Sequence, residues 1–424
     1  MKSQINQINP TKKDIYLSWF ILASFFLYQY VLRSSPGVLI EEIRHEFGMN
    51  AESFALMGSM YYYGYSLMQI PIGIIVDRVG VRKTALFSIS LCIIGTILLA
   101  FSHTPLLGYL SRFIVGIGSA SAFMGALKLA RDYLPPSKQG ILIGATLTFG
   151  ALGALITGKP LNYLLRQFDT WQESFIIFAL CGVVIFLAAF IYLPKKSLNI
   201  HKHEQTISSI TKDLLDVLTN KKIITYSIIA IGLYTPLLVM ADLWGTAFLI
   251  AKFNFTREVA SPILMNLYIG MAIGSILLPY IAEKKHILDK IIVTSSLILL
   301  ILFSTIIYSN SLNIGSLIIL LLLIGCFCGA EMLCFTAALQ YTKPQNSGLT
   351  IGVVNTFNMM SGALMQQLVG SYLDYSWQDK LDAKGLRIYS LKEFVEAFSI
   401  LVIIIAICVI IAFIAFVNKK FKEE

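Results

Sequence analysis

A charged side chain inside a long apolar stretch is costly and tends to be kept for chemistry. Arg33 stands in one such stretch, with Gln29 and Tyr30 on the same face of the helix that the stretch predicts. A guanidinium there can grip a carboxylate or phosphate through two parallel bonds. Alternatively it reaches the outer boundary of the stretch and pairs with Glu41 or Glu42. Arg112 precedes Gly116 and Gly118, which let a second helix come close. It serves either a polar network inside the helix bundle or a substrate or proton relay. Glu331 reads as the only carboxylate well inside an apolar stretch of the second half. It is either a proton carrier or permanently bonded to a polar neighbour. Asp242, beside Trp244 near the end of its stretch, reads as a cap or gate, and Lys128 and Lys159 as boundary residues. Uncharged groups complete the set: Tyr62, Tyr65 and Gln69 share one helical face, and Asn355, Asn358, Gly362 and Gln366 form a second polar stripe. Both stripes suit the wall of a wet cavity, while tyrosines also gather in belts at a membrane boundary.

The elements that must position these groups are membrane helices. With 56% hydrophobic and only 13% charged residues over 424 positions, the chain lies outside the range of ordinary globular domains. Twelve stretches have the length to cross a bilayer: 16–40, 53–76, 84–102, 106–131, 139–160, 173–193, 223–243, 259–281, 288–308, 313–340, 348–371 and 393–417. Met1 to Asp14 has no signal-peptide layout, so the first stretch is expected to stay as a helix. With the N-terminus inside, cytoplasmic segments hold twenty-one Lys and Arg and the outer loops eight. Both termini are therefore expected in the cytoplasm, in a bacterial inner membrane. Topology already accounts for the net charge of +9, so no nucleic acid is implied. The six cysteines all fall inside predicted spans without zinc, redox or disulfide spacing. His201 and His203 lie in a basic linker, where histidines are usually solvated, so no metal is expected. No phosphate-binding loop and no nucleophile–base arrangement appears, which excludes an enzyme of those classes, and no cofactor is implied.

Residues Gly73 to Thr84 carry Gly73, Asp77, Arg78, Gly80, Arg82 and Lys83 directly after the second apolar stretch. Gly73 is expected to admit a close neighbouring helix and Gly80 a sharp reversal. Asp77 is expected to meet the N-terminal end of the eleventh helix near Ser347 and Gly348, and to pair with Arg131. This spacing resembles the signature loop between helices 2 and 3 of the major facilitator superfamily. Arg112 with Gly116 and Gly118 resembles that superfamily's helix 4 motif, and Gly274 with Ala282 to Lys285 is a weakened echo of the loop. The resemblance implies an all-α fold of twelve transmembrane helices in two six-helix bundles, 1–194 and 223–424, joined by a cytoplasmic linker, 195–222. In that linker Ile207, Ile210, Leu214, Leu215 and Leu218 predict a short amphipathic helix.

Shorter blocks are similar to the proteobacterial intraphagosomal transporters: Leu32 to Pro36, Ala126 to Ala130 with Pro135 and Pro136, Leu243 to Gly245, and Tyr389 to Leu391. That resemblance implies secondary import of an amino acid, or of a nucleoside, by proton symport and alternating access. The alternatives are siderophore or drug efflux on the same fold, and a receptor that transports nothing. The second arginine of organophosphate antiporters is missing between Lys222 and Asp242, and Gly144, Gly153, Gly158 and Pro160 only approximate the drug-antiporter pattern. The expected partners are a small solute, protons and the lipid bilayer, with the chain working as a monomer. Substrate contact is expected at Arg33, Gln29, Tyr30, Tyr62, Tyr65, Gln69, Arg112, Asn355 and Asn358, and proton coupling at Glu331.

Overall fold

The computed structural model describes residues 11–195, 207–343 and 346–423. The first half of the chain forms α1 (Lys12–Val38), α2 (Ile40–Phe47), α3 (Ala51–Val79), α4 (Val81–Ala100), α5 (Pro105–Ser119), α6 (Ser121–Tyr133), α7 (Pro136–Ile156), α8 (Lys159–Leu165) and α9 (Trp171–Tyr192). After α10 (Ile207–Thr219) come α11 (Lys221–Pro236), a π-helical turn (Leu237–Trp244), α12 (Gly245–Phe253), α13 (Arg257–Leu264) and α14 (Asn266–Lys285). The chain then runs through α15 (Leu288–Tyr308), α16 (Ile314–Cys328), α17 (Glu331–Leu339), α18 (Ser347–Tyr375) and α19 (Leu391–Glu423). Ten of these helices or consecutive helix runs are long and apolar enough to cross a membrane. Of the twelve expected stretches, α3 and α18 have the length, 29 residues each, without the required composition.

Their polarity has a physical reason. α3 and α18 make the most extensive helix pairing in the molecule, one helix from each half of the chain. Ser59 donates to the Ala363 carbonyl at 2.8 Å, and Asn355 donates to Gln69 at 2.6 Å. The two helices thus bury polar groups against each other and not in lipid, so neither needs an apolar surface on that face. The remaining pairings recur: α1 packs on α7, α3 on α5 and α4 on α9, and in the same order α11 packs on α18, α14 on α16 and α15 on α19.

α1 continues through Pro36, which has no N–H to give the Leu32 carbonyl four residues back. Arg112 supplies the missing donor. Its Nη1 donates to Leu32 O at 2.6 Å and its Nη2 to Arg33 O at 3.2 Å, with the guanidinium over the Tyr61 ring. Gly116 brings α5 against α3 so closely that a Cβ there would collide with the Tyr61 carbonyl. One residue past Pro36, a Cβ on Gly37 would lie 2.5 Å from the Asp242 carbonyl, so α1 crosses the π turn backbone to backbone.

Both described chain ends lie on one face of the molecule, the terminal face; the opposite, distal face carries α2 and the connection at 376–390. On the terminal face α10 docks through buried Val217, and Asn346 donates to Asp213 at 3.3 Å. The amphipathic helix expected in the linker is thus present over Ile207–Thr219, but Leu215 and Leu218 point outward while Val217 makes the contact.

The distal face is closed by a strap, residues 376–390. Asp374, at the end of α18, accepts the Glu52 amide at 2.7 Å, Tyr389 Oη at 2.5 Å and Arg387 Nη1 at 3.1 Å. Tyr389 Oη in turn accepts the Ala51 amide at 2.9 Å, and Arg44 donates to the Arg387 carbonyl at 2.9 Å. A carboxylate from the second half therefore sits at the open N-terminal turn of α3 in the first, where backbone N–H groups favour an anion. Around it, Glu42 pairs with Arg257 and His45 with Asp382 at 3.0 Å. The amides of Leu386 and Lys384 hold the Asp382 carboxyl below the usual carboxylate range.

Two outcomes are expected. Arg112→Met leaves the Leu32 carbonyl of α1 without its donor, at about 1–3 kcal/mol, so thermal unfolding in detergent should move to lower temperature. An unchanged unfolding temperature would show that the carbonyl finds another donor. Asp374→Asn removes charge-assisted bonds worth about 1.5–3 kcal/mol, so hydrogen exchange at 376–390 and at the start of α3 should accelerate while α4 and α15 stay protected. Unchanged exchange in the strap would mean that Tyr389 and Arg44 hold it without the carboxylate.

Candidate functional site

α1 and the π turn meet at a buried ion pair. Arg33 Nη2 lies 2.6 Å and Nε 2.9 Å from Asp242 Oδ2, and both side chains are under 5% exposed. Tyr62 accepts from Arg33 Nε at 3.1 Å and donates to Asp242 Oδ2. The other oxygen, Oδ1, accepts from Ser34 at 3.1 Å and from Tyr268. Above the guanidinium lie the rings of Tyr30 at 5.0 Å, Tyr62 at 5.3 Å and Tyr234 at 6.0 Å. The Asp242 carboxylate is thus ringed by hydroxyls and a guanidinium, and the cation by three aromatic faces. Such compensation is what lets two charges stay away from water.

The sequence placed Arg33 and Tyr30 here but misjudged the anion. Arg33 pairs with Asp242, and not with Glu41 or Glu42. Glu331 is not the only carboxylate deep in the second half, because Asp242 is buried as well. The predicted span ended at 243, whereas the helical run continues through Phe253 and carries Asp242 inward. The widened turn that follows Pro236 is all buried, and α18 ties it down: Gln366 donates to Leu238 O at 2.7 Å and receives from Trp244 Nε1 at its carbonyl at 3.1 Å. Ser34, Tyr234 and Tyr268 were missed too. Their only sequence signal is the apolar surroundings, which an interfacial tyrosine shares.

Of the other candidates, Gln29 accepts from Tyr61 at 2.5 Å, and Tyr65 stacks on Tyr61 with ring centroids 6.0 Å apart. Arg112 points at backbone carbonyls of α1, as described, and is buried. Gln69 and Asn355 bond across the two halves. Asn358 donates to Glu331 Oε1, so α18 and α17 share that pair. Three polar atoms of this layer are buried without a hydrogen-bond partner among the described residues: Gln69 Nε2, Asn358 Oδ1 and Glu331 Oε2. Buried polar atoms usually have partners, so each of these asks for an explanation, such as a bound water, ion or solute. Lys128 forms an ion pair with Asp132 at 3.3 Å.

The motif after α3 makes a tight reversal at Gly80, whose φ of +91° explains the glycine. Arg82 extends from the start of α4 to the end of α9, donating to Leu193 O at 3.1 Å and to Phe190 O. The close approach expected at Gly73 is not found, since a Cβ there would meet open space. Arg78, Lys83 and Arg131 are exposed on the terminal face. The side chain of Asp77, and the linker residues His201, Lys202 and His203, lie outside the described residues.

Comparison with known proteins sets this geometry in a family. The chain is 29% identical over 302 residues to an uncharacterized transporter of Bacillus subtilis (strain 168), covering 65% of this chain and 68% of that protein. It is 28% identical over 157 residues to a probable sulfoacetate transporter of Cupriavidus necator, covering 37% of this chain and 36% of that relative. Its fold matches a crystal structure of a bacterial homolog of the human lysosomal transporter Spinster, solved in an inward-facing and occupied conformation, with a TM-score of 0.76 and 15% identity over 96% of this chain and 97% of the other. The sequence pattern of the Major Facilitator Superfamily matches residues 19–365, and the chain belongs to that superfamily as a multi-pass membrane transporter and not an enzyme.

Proposed function

We propose that the chain imports a small zwitterion, an amino acid, across the bacterial inner membrane by proton-coupled alternating access. It acts as a monomer, in twelve spans forming two six-helix halves (1–194 and 223–424) around the 195–222 linker, with both termini cytoplasmic. The observation that carries this reading is the Arg33–Asp242 pair, which places a fixed cation against a fixed anion between the two halves. An amino acid presents the matching charges. Its carboxylate takes the fork of Arg33 and its ammonium takes Asp242, so neither buried charge is left alone when the solute parts them. A nucleoside carries neither charge. A second reading, a small organic anion, is favoured by the relative described as a probable sulfoacetate transporter. That solute would occupy Arg33 alone and require a proton on Asp242.

In this reading the closed strap on the distal face and the Gly73, Asp77, Arg78, Gly80, Arg82, Lys83 and Arg131 set on the terminal face open in turn. A ligand drives such a change only by binding one arrangement better. Glu331 carries the coupled proton. Its carboxyl is buried, held by Asn358 at one oxygen and without a partner among the described residues at the other, and water reaching it changes its proton affinity.

Purified protein warmed with amino acids, nucleosides and organic anions should be stabilised by an amino acid, since a ligand bound to the folded state alone raises its stability. Arg33→Lys, which keeps the charge and loses the fork, should weaken that binding by about 1–3 kcal/mol. Stabilisation by sulfoacetate and not by any amino acid would favour the second reading instead. In reconstituted vesicles, Glu331→Gln should abolish uphill uptake driven by a pH gradient yet preserve exchange of internal for external solute. Retained concentrative uptake in that variant would place the coupling group elsewhere.

A further inference from the structure

Beside the ion pair lies a small cavity of about 20 Å³, walled by Tyr30, Tyr268, Leu147, Met271 and Met332. Two of those walls belong to the polar centre: Tyr30 faces the Arg33 guanidinium and Tyr268 donates to Asp242. Away from the centre, the cavity ends at Ala151 of α7 and Ala272 of α14. The same two alanines line a groove of about 530 Å³ between these helices, with Leu152, Ile273, Ile276 and Tyr280 among its other walls. Ser275 adds a hydroxyl to the cavity and Thr148 one to the groove, and among the described residues no charged or amide side chain lines either space. Since α7 belongs to the first half and α14 to the second, the passage runs between the halves, as the ion pair does.

We infer that this apolar passage receives the side chain of the transported solute, which is an α-amino acid with an aliphatic, thioether or aromatic side chain. The inference rests on the zwitterion reading of the Arg33–Asp242 centre. A solute held there by its two charged groups has Tyr30 and Tyr268 as neighbours and sends its side chain past them. An apolar chain gains from burial in such surroundings, and two methionines adapt to its shape. A carboxylate, ammonium or amide would be stripped of water with only scattered hydroxyls, and no opposite charge, to replace it. The cavity alone has room for about one water molecule, so a longer chain must extend between the two alanines toward the groove. A larger residue at 151 or 272 closes that way.

The test is equilibrium binding to the purified full-length protein of glycine, alanine, leucine, phenylalanine, aspartate, lysine and octanoate. Leucine or phenylalanine should bind at least about tenfold more tightly than glycine, with aspartate and lysine weakest. Ala272→Leu should lower leucine affinity about tenfold and leave glycine and alanine within about twofold. Met332→Ala, which widens the cavity instead of filling it, should raise phenylalanine affinity relative to leucine. If glycine and aspartate bind as well as leucine, the inference falls and the zwitterion reading stands. Binding of octanoate equal to that of leucine assigns the passage to a lipid tail and also overturns it. If no amino acid binds, the zwitterion reading itself fails, and the inference with it. Should Ala272→Leu lose every ligand, Met332→Ala decides, and an unchanged side-chain preference there overturns the proposal.

Discussion

Two opposite charges held out of water, Arg33 and Asp242, set the terms for the rest of this structure. Removing one partner of a buried pair typically costs about 3–5 kcal/mol, because the other is left uncompensated. The surroundings therefore have to bring both to one place and satisfy every remaining donor and acceptor. Several otherwise unrelated features do this. Gly37 lets α1 touch the π turn backbone to backbone, and Arg112 completes the helix that Pro36 would otherwise leave short of a donor. Ser34, Tyr62 and Tyr268 fill the carboxylate's remaining hydrogen-bonding capacity. Each half of the chain contributes one charge, so the pair also couples the halves mechanically.

Two sets of contacts flank that centre and differ in kind. The distal strap relies on charge and on a helix terminus, with Asp374 at the first amides of α3. Toward the terminal face the layer around Gln69, Asn355, Asn358 and Glu331 is neutral apart from one carboxyl, and several of its atoms are unpaired. Both sets leave buried polar atoms without a partner among the described residues: Glu42 Oε2, Arg257 Nε and Ser390 Oγ around the strap, and Gln69 Nε2, Asn358 Oδ1 and Glu331 Oε2 in the neutral layer.

How much of this was legible in the chain depended on the range of the interaction. Apolar length alone marked ten of the spans, and the Gly80 reversal followed from local chemistry. Arg33 stood out because a lone guanidinium in an apolar stretch is conspicuous. Its partner did not, because Asp242 lies far along the chain and the span seemed to end beside it. A π-helical turn has no clear composition signal, and Pro236 gives no warning of the continued helix beyond. Gln29, Asn355 and Asn358 read as cavity linings, whereas the fold gives each of them a protein partner. The polarity of α3 and α18 was visible in the residues, but its cause, their pairing with each other, was not.

That pairing bears on how the protein is made. α18 is synthesised long after α3, so a helix too polar to be comfortable in lipid must wait for the partner that completes it. Chains emerge N-terminus first, and only earlier neighbours can shield α3 in the interval. α5 is well placed, since Gly64 and Gly116 let the two backbones come together so closely that no side chain could intervene. The glycines of α3 and α5 thus give α3 a close partner from its own half of the chain, and its polar face toward α18 is completed only when the second half is made.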